Sequence, residues 1–170
     1  MSRKSEWIMF FIFVAVNIIL FVFSVDTDAP LSVGADAGQY LRPARSLVDY
    51  GMVAMNPPEW TPEMGEARPF TFGVPLYSIL LAVPYYFFGQ ADLFYIMVII
   101  IQCCLLYLTG WISRSLLPFF NSNRTILIHA LIVFNPNSLI TAHLIQSETL
   151  FTFLLVVVLL SIFKYIKNNS

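Results

Sequence analysis

Charge is what this sequence lacks most. Of 170 residues only 11% are charged, 58% are hydrophobic, and the mean hydropathy is +0.76. A soluble domain has roughly 45–50% apolar and about 25% charged residues. At this length a soluble fold would expose much of the apolar excess to water, so an ordinary soluble globule is excluded, and a disordered tail with it. The net charge of −1 and a pI near 6.0 leave no basic field for phosphate backbones, which excludes a nucleic-acid binder. Cysteine is nearly absent as well. Two adjacent thiols, Cys103 and Cys104, cannot build a disulfide framework and read as small apolar side chains in a hydrophobic run. No HExxH, CxxC, glycine-rich phosphate loop or nucleophile elbow occurs.

What is present is a set of long apolar runs. A transmembrane helix needs about 20 mostly apolar residues. Trp7–Val25, Leu93–Ile112 and Thr149–Ile166 come close, with Asn17, Gln102 and Thr109 as their polar minority and Lys164 placed to snorkel. A fourth run, Thr125–Ile140, carries Asn135-Pro136-Asn137 near its end. Proline there predicts a kink or a stop, and a short loop before Thr149. The sequence predicts an all-α membrane protein of about four transmembrane helices, with spans near 7–25, 93–112, 125–140 and 149–166.

Between the first two spans lies a long loop, 26–92, rich in Pro, Asp, Glu and Gly up to Gly73. Two stretches in it read as interfacial helices, about 36–50 and 75–88. In the first, Tyr40, Leu41, Ala44, Leu47 and Val48 recur at helical spacing. The second, Pro75–Phe88, is apolar and aromatic, bounded by Gly73 and Gly89, interrupted at Pro84, and short for a span. With four spans, Arg3, Lys4, Arg114, Arg124, Lys164 and Lys167 share one side, and the loop with its eight acids and three arginines lies opposite. A crossing at Pro75–Phe88 would move Arg114, Arg124, Lys164 and Lys167 outside. The positive-inside tendency therefore predicts a multi-pass protein of the plasma membrane with both termini cytoplasmic and the first loop external. The sequons at Asn123 and Asn168 are then cytoplasmic and unused. Trp7–Val25 is also longer than the apolar core of a cleaved signal peptide.

In so charge-poor a chain, each charge beside the membrane is a candidate for chemistry. Asp36 lies among small residues in Gly34-Ala35-Asp36-Ala37-Gly38, where a bulky lipid-linked substrate can approach a carboxylate; it is equally placed to cap the helix that follows. Glu148 is the only acid between Asp92 and the C-terminus. A carboxylate at a bilayer boundary requires water, a metal or a cation, or else serves the start of the helix dipole. Arg68, near the external interface, suits a lipid phosphate or is a solvated loop charge. His143, shortly before Glu148, is a base, a ligand or a structural histidine. Asn17, Gln102 and His129 read as hydrogen-bonding groups between helices.

Together these features resemble the N-terminal part of integral-membrane glycosyltransferases of the type C fold, a superfamily that includes protein O-mannosyltransferases and lipid A aminoarabinose transferases. The resemblance runs from about Trp7 to Ile166. It rests on Asp36 and Tyr40 after the first span, a helical stretch closing at Gly51, and the block Pro75-Leu76-Tyr77-Ser78-Ile79-Leu80-Leu81-Ala82 closing at Phe88-Gly89. Gln102 in a span, the Asn135-Pro136 turn and Glu148-Thr149-Leu150-Phe151 complete it. It implies transfer of a sugar from a polyprenyl-phosphate donor to an acceptor lipid, glycan or protein at the external membrane face. Asp36 would be the general base or hold a divalent metal ion, Glu148 a second acid for the metal or the donor phosphate, and Arg68 a phosphate contact. Tyr40 and His143 would line the substrate site. Many relatives have Asp-Glu where this chain has Asp36-Ala37. They also continue through further spans, whereas this chain stops at Lys167-Asn168-Asn169-Ser170, which predicts a fragment, a truncated reading frame or half of a split enzyme completed by a second membrane subunit. The alternative is a non-catalytic small membrane subunit or scaffold that binds a larger membrane partner through its spans. A small transporter is a third reading, but only Asn17, Gln102, Thr109 and His129 are available to line a path.

Overall fold

Long apolar runs without an interior proline make the three longest helices: α1 (Arg3–Val25), α4 (Asp92–Ser113) and α7 (Glu148–Asn168). At 1.5 Å per residue each is about 31–35 Å long, close to the roughly 30 Å hydrocarbon thickness of a bilayer. A helix suits that setting because it satisfies every backbone group within its own segment. The shorter elements are α2 (Ala37–Tyr50), a 3-10 turn at Pro62–Met64, α3 (Pro75–Phe88), α5 (Thr125–Val133) and α6 (Pro136–Ala142). The computed structural model describes residues 3–25, 37–55, 61–66, 75–116 and 125–169, and no strand occurs among them.

Among the described residues three helices are long and apolar enough to cross a membrane, and α5 with α6 qualifies as a fourth span if that bent pair is counted as one. The pair bends by 52°. The cause is local. Pro136 holds Asn135 in an extended conformation, φ −62° and ψ 122°, which ends α5. Asn135 then caps α6, its side-chain oxygen accepting from the Ser138 N–H at 3.2 Å, with Pro136 in the first turn. The Asn-Pro pair thus starts a helix where the sequence predicted an opening into loop, and the loop before α7 shrinks to His143–Ser147. A second difference lies at Pro84, which was expected to interrupt the 75–88 stretch. The helix runs through it, at the cost of the one hydrogen bond that a proline nitrogen cannot donate.

The chain divides into two compact units. The first comprises Met1–Leu31, Ile101–His143 and Glu148–Ser170. Its core is Phe13 from α1, Leu106 from α4, Val133 from α5, and Leu139 and Ala142 from α6. Tyr107 packs on Phe10 and Phe13, with ring centroids 5.4 and 5.3 Å apart. Gly110 lets α4 and α5 approach closely, because a Cβ there would collide with the His129 ring and fall 2.7 Å from Val133 Cγ1.

The second unit comprises Ser32–Ile100 and Leu144–Ser147. Here the small buried face of α2, including Ala37, Ala44 and Ser46, packs against α3, which buries Tyr77, Ser78, Leu81 and Ala82. Gly51 ends α2 with φ +71°, its N–H bonded to the Leu47 carbonyl at 3.0 Å; Gly89 ends α3 in the same way on Tyr85 at 2.8 Å. On the outer side of α2, Arg45 pairs with Asp49 one turn on, at 3.0 Å. The pair is half exposed and contributes little to stability. Burial, with the Asp49 charge adding to it, pushes the Tyr85 phenol above its ordinary value, so this hydroxyl stays protonated through neutral pH.

Candidate functional site

The residues with chemical potential form two separate groups, one in each unit. In the second unit, Tyr40 stands in the first turn of α2. Its hydroxyl is 3.0 Å from Ser147 Oγ, a hydrogen bond across 107 positions of sequence. Its ring meets Tyr77 of α3 edge to face, with centroids 4.9 Å apart and planes at 87°. Tyr77 and its neighbour Ser78 are fully buried, and Ser78 Oγ has no hydrogen-bond partner among the described residues. The result is a cluster of Tyr40, Tyr77 and Ser147 at the α2–α3 pair. Hydroxyls of this kind both donate and accept, which suits them to sugar or phosphate oxygens.

Asp36 and Arg68 lie outside the described residues. Asp36 is the residue before α2 and four before Tyr40. Glu148 is the residue after Ser147; it opens α7 and is exposed. Ser147, Tyr77 and Ser78 were not singled out from the sequence, although each sits inside a stretch that was. The available signal was polarity out of place: Ser78 is the one serine in the otherwise apolar and aromatic Pro75-Leu76-Tyr77-Ser78-Ile79-Leu80-Leu81-Ala82 block.

Removal of the Tyr40 hydroxyl provides a direct check on this cluster. Tyr40→Phe is expected to cost about 1 kcal/mol, the net worth of one such hydrogen bond. Thermal unfolding in detergent measures it. Ser147→Ala should cost a similar amount and add nothing on top of Tyr40→Phe, because both remove the same bond.

The first unit holds a different polar cluster, fastened at Asn17. The Asn17 side chain donates to the Phe13 carbonyl at 2.8 Å and accepts the Cys103 thiol at 3.2 Å, which joins α1 to α4. Cys103, expected to be only a small apolar filler, is thus a hydrogen-bond donor between helices. His143 caps α6 and is buried; its Nδ1 donates to the Leu139 carbonyl at 2.8 Å and its Nε2 faces the Asn17 carbonyl at 3.4 Å. Both partners are carbonyl oxygens, so a neutral ring satisfies one of them and an imidazolium both. In this position the ring holds the end of α6 to α1. His129 is also fully buried, its ring tilted against Tyr107 with centroids 4.9 Å apart.

As to a metal, no group of three or more His, Cys, Asp or Glu side chains gathers among the described residues. Glu148 is the one placed acid of the two that were expected to hold an ion.

These observations define a class: a protein that is all-helical among the described residues, with three to four helices there able to cross a membrane, consistent with an integral membrane protein. No protein-family model, curated protein or solved structure matches the chain.

Proposed function

We propose that this chain is a membrane glycosyltransferase module that passes a sugar from a polyprenyl-phosphate donor to an acceptor hydroxyl at the external membrane face. The observation that carries the reading is the Tyr40–Ser147 hydrogen bond. It joins Ser147 to the first turn of α2, the helix that begins one residue after Asp36 in the sequence. In the proposed reaction Asp36 takes the acceptor hydroxyl proton as that oxygen attacks the anomeric carbon. The bond from that carbon to the phosphate oxygen breaks, and polyprenyl phosphate leaves with the electron pair. Arg68 stabilises the departing phosphate charge, and the hydroxyls of Tyr40 and Ser147 orient the sugar. The resemblance assigns Glu148 the part of a second acid in the reaction. His143, its ring engaged with Leu139 and Asn17, holds the end of α6 to α1. The proposal carries no metal-dependent step.

The reading places the hydroxyl cluster outside the cell, with both termini in the cytoplasm and α2 and α3 lying at the external interface. At 14 residues α3 is about 21 Å long, short of the roughly 30 Å bilayer core. A glycosylation or cysteine-accessibility tag at position 123 is expected to report the cytoplasmic side; a tag found outside overturns the four-span topology. Function is tested by deletion and complementation in the native host. Loss of the gene should remove a sugar from an external lipid, glycan or protein, measured by mass spectrometry, and the wild-type chain should restore it.

One observation favours a second reading, a non-catalytic subunit bound to a larger membrane partner. Only 11% of the apolar windows of α1 and α7 is buried, against 39% for α4. Co-purification with one membrane protein, together with full complementation by chains altered at Asp36 and Glu148, would establish that role instead.

A further inference from the structure

Away from the hydroxyl cluster, the first unit carries a groove of about 530 Å³ where the first turns of α1 meet the last turns of α4. Its lining is Glu6, Trp7 and Phe10 from α1, and Tyr107, Trp111 and Arg114 from α4 and the turn after it. Two features set this groove apart from an ordinary lipid-facing surface. The first is an ion pair at its edge: Arg114 Nη2 donates to Glu6 Oε1 at 2.8 Å, with the Arg114 side chain only 17% exposed. The second is the pair of tryptophans, Trp7 and Trp111, which are 60% and 53% exposed. Tryptophan concentrates where headgroups meet acyl chains, because its ring is apolar and its N–H is not.

We propose that this groove binds an anionic diacyl phospholipid, with the phosphate on Arg114 and the upper acyl region along Trp7, Phe10 and Trp111. Charge complementarity points to that occupant. At these two helix ends the sequence places Arg3, Lys4 and Arg114 against the single acid Glu6, a balance of +2 (three bases less one acid). The guanidinium fork matches a phosphate as well as a carboxylate. Glu6 therefore serves as a placeholder that orients the fork and competes with the lipid for it. This inference is independent of sugar transfer, since none of its residues belongs to the cluster around Tyr40.

Quenching of tryptophan fluorescence by brominated lipids tests it. The full chain carrying Trp60→Phe, so that Trp7 and Trp111 are the reporters, is reconstituted in phosphatidylcholine vesicles. These contain a minor share of either dibrominated phosphatidylglycerol or dibrominated phosphatidylcholine. Quenching by the anionic lipid is expected to reflect about fivefold enrichment, the effect of one basic side chain at an anionic surface. Arg114→Gln should bring the two lipids to equality. Glu6→Gln should raise the preference above the parent, because the competing carboxylate is gone. Equal quenching in the parent overturns the proposal, as does emission that responds to neither lipid, which would mean that protein covers the groove. A preference that falls or stays the same in Glu6→Gln also overturns it, since the ion pair would then only clamp two helices together.

Discussion

Asp36→Asn is expected to remove sugar transfer by about 10²- to 10⁴-fold, the usual worth of a positioned general base. The substitution separates two roles that the sequence left open. Asparagine caps a helix as well as aspartate does, so a residue that only starts α2 tolerates the change. A base does not, because an amide cannot take the acceptor proton. Membrane insertion and the melting temperature should therefore stay unchanged while the sugar product disappears. Asp36→Ala supplies the complement: it should lose transfer and also about 1 kcal/mol of stability if the cap is real. The readout is mass spectrometry of the external acceptor in a deletion host that carries each variant. Transfer retained by Asp36→Asn would sink the enzymatic reading and leave the subunit reading in place. Glu148→Gln should reduce transfer in the same assay with insertion intact.

The second large effect concerns packing. Gly110→Ala is expected to destabilise the protein by about 1–3 kcal/mol, the range for overfilling a packed interior. The added carbon would collide with His129 Cδ2, lie 2.7 Å from Val133 Cγ1 and lie 3.0 Å from His129 Nε2. These are the side and the tip of a buried ring and a β-branched side chain, none of which can swing aside easily. Thermal unfolding in detergent measures the loss. The same change in the His129→Ala background should cost much less, because the space it needs is already open, and the non-additivity identifies the contact. An unchanged melting temperature for Gly110→Ala would mean that α4 and α5 do not pack at this point.

Most helix bounds were legible in the sequence to within a turn. Apolar runs placed helices at 7–25, 93–112 and 149–166, and the structure has them at Arg3–Val25, Asp92–Ser113 and Glu148–Asn168. The loop helices expected near 36–50 and 75–88 stand at Ala37–Tyr50 and Pro75–Phe88, each closed by a glycine. Those limits are local: a run of side chains, a capping residue, a glycine that reverses the chain. The two prolines misled for a related reason. A proline removes one donor and restricts the residue before it, but whether the helix continues, as at Pro84, or restarts, as at Pro136, depends on what packs around the bend.

The candidate site was less legible. Tyr40 and His143 were selected from sequence and both proved to be engaged, Tyr40 with Ser147 and His143 with Leu139 and Asn17. Ser147 and Ser78 were passed over, since a serine in a membrane segment is common and has no periodicity of its own. Arg114 was read only as a charge on one side of the membrane, and nothing in its spacing from Glu6 announced that the two pair at 2.8 Å.

By itself, then, the sequence determined the solvent this protein is built for. Eleven per cent charge and a mean hydropathy of +0.76 are sums over residues, and a sum survives any rearrangement of the chain. It also determined where most helices start and stop, because away from Pro84 and Pro136 helix formation is settled within a few residues. Only the tertiary structure decided which polar groups meet. Tyr40 finds Ser147 across 107 positions, Cys103 finds Asn17 across 86, and His143 faces Asn17 across 126. Apolar burial has no direction, so the same runs would pack equally well in many registers; hydrogen bonds at 3 Å and a glycine under a histidine ring select one.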